Sequence, residues 1–99
     1  MRCRRWISEF PFVRCFKPIG IDQEKTEVVM IRVEELEALR LVDAENMTQE
    51  EAANHIGVSR RTLWSDLSSA RKKVATALYN GNAIRIECGA HSIVKEDNV

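Results

Sequence analysis

The sequence predicts a mainly α domain of three helices, with a small two-stranded β-ribbon and an irregular N-terminal arm. Three observations carry this. Apolar residues recur at helical spacing through most of residues 34–81. Two short runs, EVVMIRV at Glu27–Val33 and AIRIE at Ala83–Glu87, bracket that region and read as strands. Before residue 27, Pro11, Pro18 and Gly20 break any regular pattern. With 99 residues the chain suits a single domain. It divides into an arm (1–26), a strand (27–33), a helical core (34–81), a second strand (83–87) and a tail (90–99).

The arm holds Trp6, Phe10, Phe12 and Phe16, four of the six aromatics, so it is expected to pack rather than trail. The two strands are far apart in sequence. A ribbon of two is marginal alone, so it must pack on helices or pair with another chain.

The first helix is expected over Glu34–Glu45. Leu36, Leu39 and Val42 form one i, i+3 stripe, and Ala38 and Leu41 add a second. Glu34 and Glu35 suit the positive end of its dipole, and Asn46 closes it. The second runs over Thr48–Ile56. Thr48 caps it and Glu51 completes a capping box, while Ala52, Ala53 and Ile56 supply its buried face. Gly57 ends it in a left-handed conformation. Ser59 caps the third, whose inner face steps through Leu63, Leu67, Ala70, Val74, Ala77 and Leu78 to a stop at Tyr79-Asn80-Gly81-Asn82.

Composition fits a globular protein, 44% hydrophobic and 30% charged. No apolar run approaches the roughly 20 residues that span a bilayer, and the basic N-terminus lacks the apolar core of a signal peptide. The expectation is a cytoplasmic protein. Net charge is zero but unevenly spread: residues 1–17 balance to +4, 18–58 to −7, 59–85 to +5 and 86–99 to −2. Screening confines each charge to about 8–10 Å, so a basic face can bind phosphate on a neutral protein.

The last two helices are separated only by Gly57-Val58-Ser59, too short a turn for an easy antiparallel pair. Small Ala53, then Gly57 four later, then Leu63 six after that, is the pattern of a DNA-binding helix-turn-helix, with Ile56 and Val58 completing the wedge. Opposite the buried stripe, the helical wheel places Arg61, Ser65, Ser68 and Lys72, flanked by Arg60 and Trp64 on one side and Thr62 and Ser69 on the other. Arg61 is the candidate for a bidentate contact to guanine. Arg60, Arg71, Lys72 and Lys73 suit phosphates. Ser59, Thr62, Ser68 and Ser69 are short enough to let DNA approach, and Ser65 suits a base edge or a phosphate. Asp66 is assigned to an intramolecular pair with Arg60 or Arg61. The competing explanation is a basic helix that is merely solvated.

The stretch ELEALRLVDAENMTQEEAANHIGVSRRTL resembles the DNA-contacting region four of bacterial sigma factors. Over residues 3–89 the chain also resembles a family of small archaeal and bacterial proteins predicted to bind DNA, through CRR, FKPIGI, VEELEALRL, QEEAA, GVSRRT, SARKKVATAL and AIRIECG. The resemblance implies the same helical fold. Arg61 stands where a glutamine is expected, and Leu63-Trp64-Ser65-Asp66 departs from the usual run. The target sequence therefore does not carry over from relatives.

Cys3, Cys15, Cys88 and His91 are the metal candidates. Cys88-Gly89-Ala90-His91 has ligand-like spacing for one half of a tetrahedral zinc site, and the Cys3 to Cys15 spacing is wide for the other half. The alternative is small apolar cysteines and a surface histidine, and no cofactor is expected, with zinc the variant to test. No phosphate loop and no nucleophile–His–acid set points to an enzyme. The expected function is a sequence-specific transcriptional regulator binding double-stranded DNA, as a homodimer on half-sites ~10 bp apart. The rival is a protein-interaction module docking on the transcription machinery through its acidic stretch 18–58, by way of Glu34, Glu35 and Glu37.

Overall fold

The computed structural model describes residues 13–22 and 26–87. A short strand β1 (Cys15–Phe16) precedes β2 (Val28–Arg32), which runs straight into helix α1 (Val33–Leu39). The chain then widens into a π-helical turn, Arg40–Ala44, before α2 (Gln49–Ile56), the long α3 (Arg60–Asn80) and β3 (Ala83–Glu87). The predicted packing of Trp6, Phe10 and Phe12 falls outside the described residues.

The sheet has three strands, not two, in the order β1-β3-β2. β1 is antiparallel to β3, with Cys15 opposite Arg85 and Phe16 opposite Ile84. It escapes prediction because two residues beside Pro18 carry no alternation to read. β2 and β3 are parallel, Val28 beside Ala83 through Arg32 beside Glu87. Parallel neighbours need a long crossover, and here α1, α2 and α3 together supply it. Ile31 and Ile86 are register partners and both are buried, so the helices pack on their face of the sheet.

The π turn is closed by the Glu45 amide donating to the Arg40 carbonyl at 2.8 Å, one residue beyond α-helical spacing. Asn46, expected to close the helix, follows at φ 63°, in the left-handed region. The predicted helix over 34–45 is thus present with a widened last turn. Its buried side chains include Ala38 and Leu41, whereas the Leu36, Leu39 and Val42 stripe is half-buried.

α2 starts as its sequence requires. Thr48 Oγ1 accepts from the Glu51 amide at 3.0 Å, and Glu51 Oε1 accepts from the Thr48 amide at 2.9 Å. Gly57 ends it at φ 87°, its amide donating to the Ala53 carbonyl at 2.8 Å. A side chain resists this conformation by about 1–2 kcal/mol. Gly57→Ala should lower the urea midpoint by that equivalent with an unchanged slope. An unchanged midpoint would show that the turn tolerates a Cβ.

The core cluster is Ala38, Leu41, Ala52, Ala53, Ile56, Leu63 and Leu67, with Leu39, Val42, Met47 and Val58 packed around it. Among these are Ile56, Val58 and Leu63, the wedge the sequence assigns to the turn, and Ala53, the small residue that lets the helices approach. The α3 stripe is buried at Leu63, Leu67, Ala70 and Ala77. Val74 is only half-buried and Leu78, at the edge of the stripe, is 73% exposed. No helix among the described residues is long and apolar enough to cross a membrane.

Candidate nucleic-acid interface

Ser59 fixes the start of α3. Its Oγ accepts from the Thr62 amide and donates to Thr62 Oγ1, both at 3.1 Å. Two of the predicted contact hydroxyls therefore already serve the cap. Beyond them Arg60, Arg61, Trp64, Ser65 and Lys72 are exposed on one broad face. Trp64 keeps half its surface in solvent. Among the described residues, Arg60, Arg61 and Lys72 have no carboxylate partner.

The electrostatics of the three helix starts differ. α1 and α2 carry Glu34 and Glu35, and Glu50 and Glu51, in their first turns, where the dipole favours anions. The first turn of α3 has no acid and two arginines instead. That arrangement costs the isolated helix stability, and an external anion at this end offsets it.

Five of the predicted residues are engaged or enclosed within the fold. Lys73 Nζ is held by Glu35 at 2.9 and 3.1 Å. Arg71 donates to Asp43 from Nε at 3.0 Å and Nη2 at 2.7 Å. Ser68 is half-buried, and its hydroxyl oxygen is enclosed and unpartnered rather than offered outward. Ser69 turns inward and donates to Glu35 Oε2 at 2.6 Å. Asp66 is buried, as its flank implies, but meets Arg32 at 3.4 Å rather than Arg60 or Arg61.

Glu35 is the hub that the sequence reading missed. It is 1% exposed and accepts from Ser69, Lys73, the Arg32 amide at 3.0 Å and the Arg32 guanidinium at 3.2 Å. Burial alone would raise its pKa. The hydrogen bonds from Ser69, Lys73 and Arg32 outweigh that and hold the carboxyl at about 2. Glu37 is buried as well, its carboxylate accepting from Arg40 at 3.0 and 3.2 Å. Neither carboxylate is placed to dock a basic partner, so the acidic surface the rival function needs is smaller than the sequence suggests.

Cys15 is exposed on β1, while Cys3, Cys88 and His91 lie outside the described residues. Among the described residues no three His, Cys, Asp or Glu side chains gather as a metal site would.

The model of a family described as "Protein of unknown function DUF134" matches residues 1–94. The chain belongs to that family. Its DUF134 relatives include a UPF0251 protein of Methanosarcina acetivorans, 52% identical over 89% of this chain and 79% of its own length. Another is UPF0251 protein TTE1845 of Caldanaerobacter subterraneus subsp. tengcongensis, 48% identical over 94% of this chain and 79% of the relative. A third, from Methanococcus vannielii, is 50% identical over 92% of this chain and 70% of the relative. No solved structure matches.

Proposed function

We propose that this DUF134 protein is a sequence-specific DNA-binding transcriptional regulator in which α2 and α3 form a helix-turn-helix like that of sigma-factor region four. The helix starting at Ser59 reads the major groove. One observation carries this: Arg60 and Arg61 occupy the positive end of α3, exposed and without a carboxylate partner among the described residues, while Arg71 and Lys73 on the same helix are neutralised. A helix basic only for solubility has no need to place its unpaired arginines where the dipole disfavours them. In this reading Arg61 takes guanine, Arg60 and Lys72 take phosphates, and Trp64 and Ser65 line the groove. It places the chain in the cytoplasm with the chromosome.

Three cations of α3 without a carboxylate partner among the described residues are few for tight binding, so the reading includes a homodimer on half-sites ~10 bp apart. A groove of about 170 Å³, its apolar lining Phe16, Pro18, Ala77, Leu78 and Ile84 and its polar rim Lys17 and Asn82, supports it. That groove lies at the end of α3 remote from Arg61, where a second copy leaves the reading end clear.

Fluorescence anisotropy of promoter-derived and random duplexes at two salt concentrations tests the reading. Arg61→Ala should weaken the preferred duplex about 10- to 100-fold, equivalent to ~1–3 kcal/mol, and random duplex far less. Lys72→Ala should weaken all duplexes alike and lower the salt slope by about 0.9. Absence of binding by the wild type at low salt would sink it.

A further inference from the structure

We infer that Asp43 withholds Arg71 from DNA, so that the Asp43–Arg71 pair sets the affinity and salt sensitivity of the α3 surface; this deepens, and rests on, the DNA-binding reading above. Arg71 lies eleven residues after Arg60, about three turns, and so on the same side of α3. That is the flank where a helix entering the major groove meets the phosphate backbone. Arg71 is placed to add a phosphate contact, but its Nε–Nη2 edge is already taken. Nε and Nη2 each donate to one Asp43 oxygen, at 3.0 and 2.7 Å. This is the two-point geometry by which arginine holds phosphate, and the Asp43 charge cancels that of Arg71, so a phosphate reaching the remaining Nη1 edge meets a pair with no net charge and neutralises nothing there.

The carboxylate comes from the π turn. Asp43 lies within the π-helical turn Arg40–Ala44. The turn is pinned on its other flank by Arg40, which bonds Glu37 and reaches Glu45 at 3.3 Å. Arg71 in turn holds the Asp43 carboxyl below the usual aspartate range.

Exposure separates this pair from the neighbouring one. The Arg71 and Asp43 side chains are 45% and 40% exposed, so water and salt reach both and the pair can exchange. Lys73 is different, because its partner Glu35 is buried and would be left without a cation it needs. Lys73 is therefore a fixed structural charge and Arg71 a conditional one. The two segments of opposite charge in the sequence meet at these contacts.

The test is the salt dependence of duplex binding by full-length wild type, Asp43→Asn, Arg71→Ala and the double variant, with circular dichroism to confirm folding. Asp43→Asn should bind several-fold tighter at low salt, and its plot of log K against log salt should steepen by about 0.9, one further phosphate neutralised. Arg71→Ala alone should leave the wild-type slope unchanged, and in the Asp43→Asn background it should return the slope to the wild-type value. A wild type that binds DNA, with a slope that Asp43→Asn does not move or that Arg71→Ala alone lowers by about 0.9, overturns this inference and leaves the DNA reading standing. A wild type that binds no duplex removes both.

Discussion

Glu35→Gln is expected to cost about 3–5 kcal/mol at neutral pH, the range for removing one partner from a buried ion pair. The carboxylate is 1% exposed and receives donors from both ends of the fold: Arg32 where β2 becomes α1, and Ser69 and Lys73 in the middle of α3. Glutamine keeps the volume but leaves Lys73 and Arg32 beside a neutral group. The effect carries a pH signature. The folded carboxyl sits at about 2 against an ordinary value of 4.5. A depressed folded pKa means the stabilisation is complete above pH 4.5 and is lost as pH falls toward 2. At ~1.4 kcal/mol per unit, the window holds roughly 3 kcal/mol. Urea unfolding from pH 7 down to pH 2 should show the stability gap between wild type and Glu35→Gln closing across that window. A gap that stays constant would mean that Glu35 acts through packing and not through its charge. Against a total of roughly 5–15 kcal/mol, losing this hub removes much of the stability the domain has.

The helices were legible because their signals are local. Thr48 and Glu51, Gly57, Ser59 and Gly81 all act within one turn of themselves, and each occupies its predicted cap. Ala53, Ile56, Val58 and Leu63 were readable because the turn between α2 and α3 is short enough to force them together. What was not legible depends on distant partners. β1 exists because β3 offers it an edge, and the direction of β2 against β3 follows from the crossover that the three helices make. The candidate site suffered most from this. Counting charge by segment showed a basic stretch at 59–85 and an acidic one at 18–58, but not that Glu35 and Asp43 of the second neutralise Lys73 and Arg71 of the first. Glu35 read as a dipole-complementing surface residue because its place in the first turn of α1 gives no hint that α3 covers it. Leu78 read as core because periodicity cannot show whether a neighbour covers the edge of the stripe.

Leu63→Ala is expected to cost about 2–5 kcal/mol and to weaken duplex binding at temperatures where the protein remains folded. The cluster around the turn is small-residue rich: Ala38, Ala52 and Ala53 let the backbones approach, and Leu63, Leu67, Leu41 and Ile56 provide most of its volume. Leu63 is fully buried one residue after Thr62, beneath the cap at Ser59. Truncating it opens a cavity at the point where α2 and α3 are held to each other, and neighbouring alanines have no length with which to fill it. Val74→Ala, at a half-buried position further along the same stripe, removes fewer buried atoms and should cost much less. The pair separates two effects. If Leu63 matters only as buried area, both variants should retain DNA affinity once folded. If it sets the orientation of α3, Leu63→Ala should lose affinity for the preferred duplex more than for random duplex, since phosphate contacts tolerate a tilt of the helix that the two-point contact proposed from Arg61 to guanine would not. Equal unfolding midpoints for Leu63→Ala and wild type would contradict the placement of Leu63 in the core. Equal ratios of preferred to random binding would show that α3 keeps its orientation through its contacts with α1 and β2, chiefly those of Glu35 with Ser69 and Lys73.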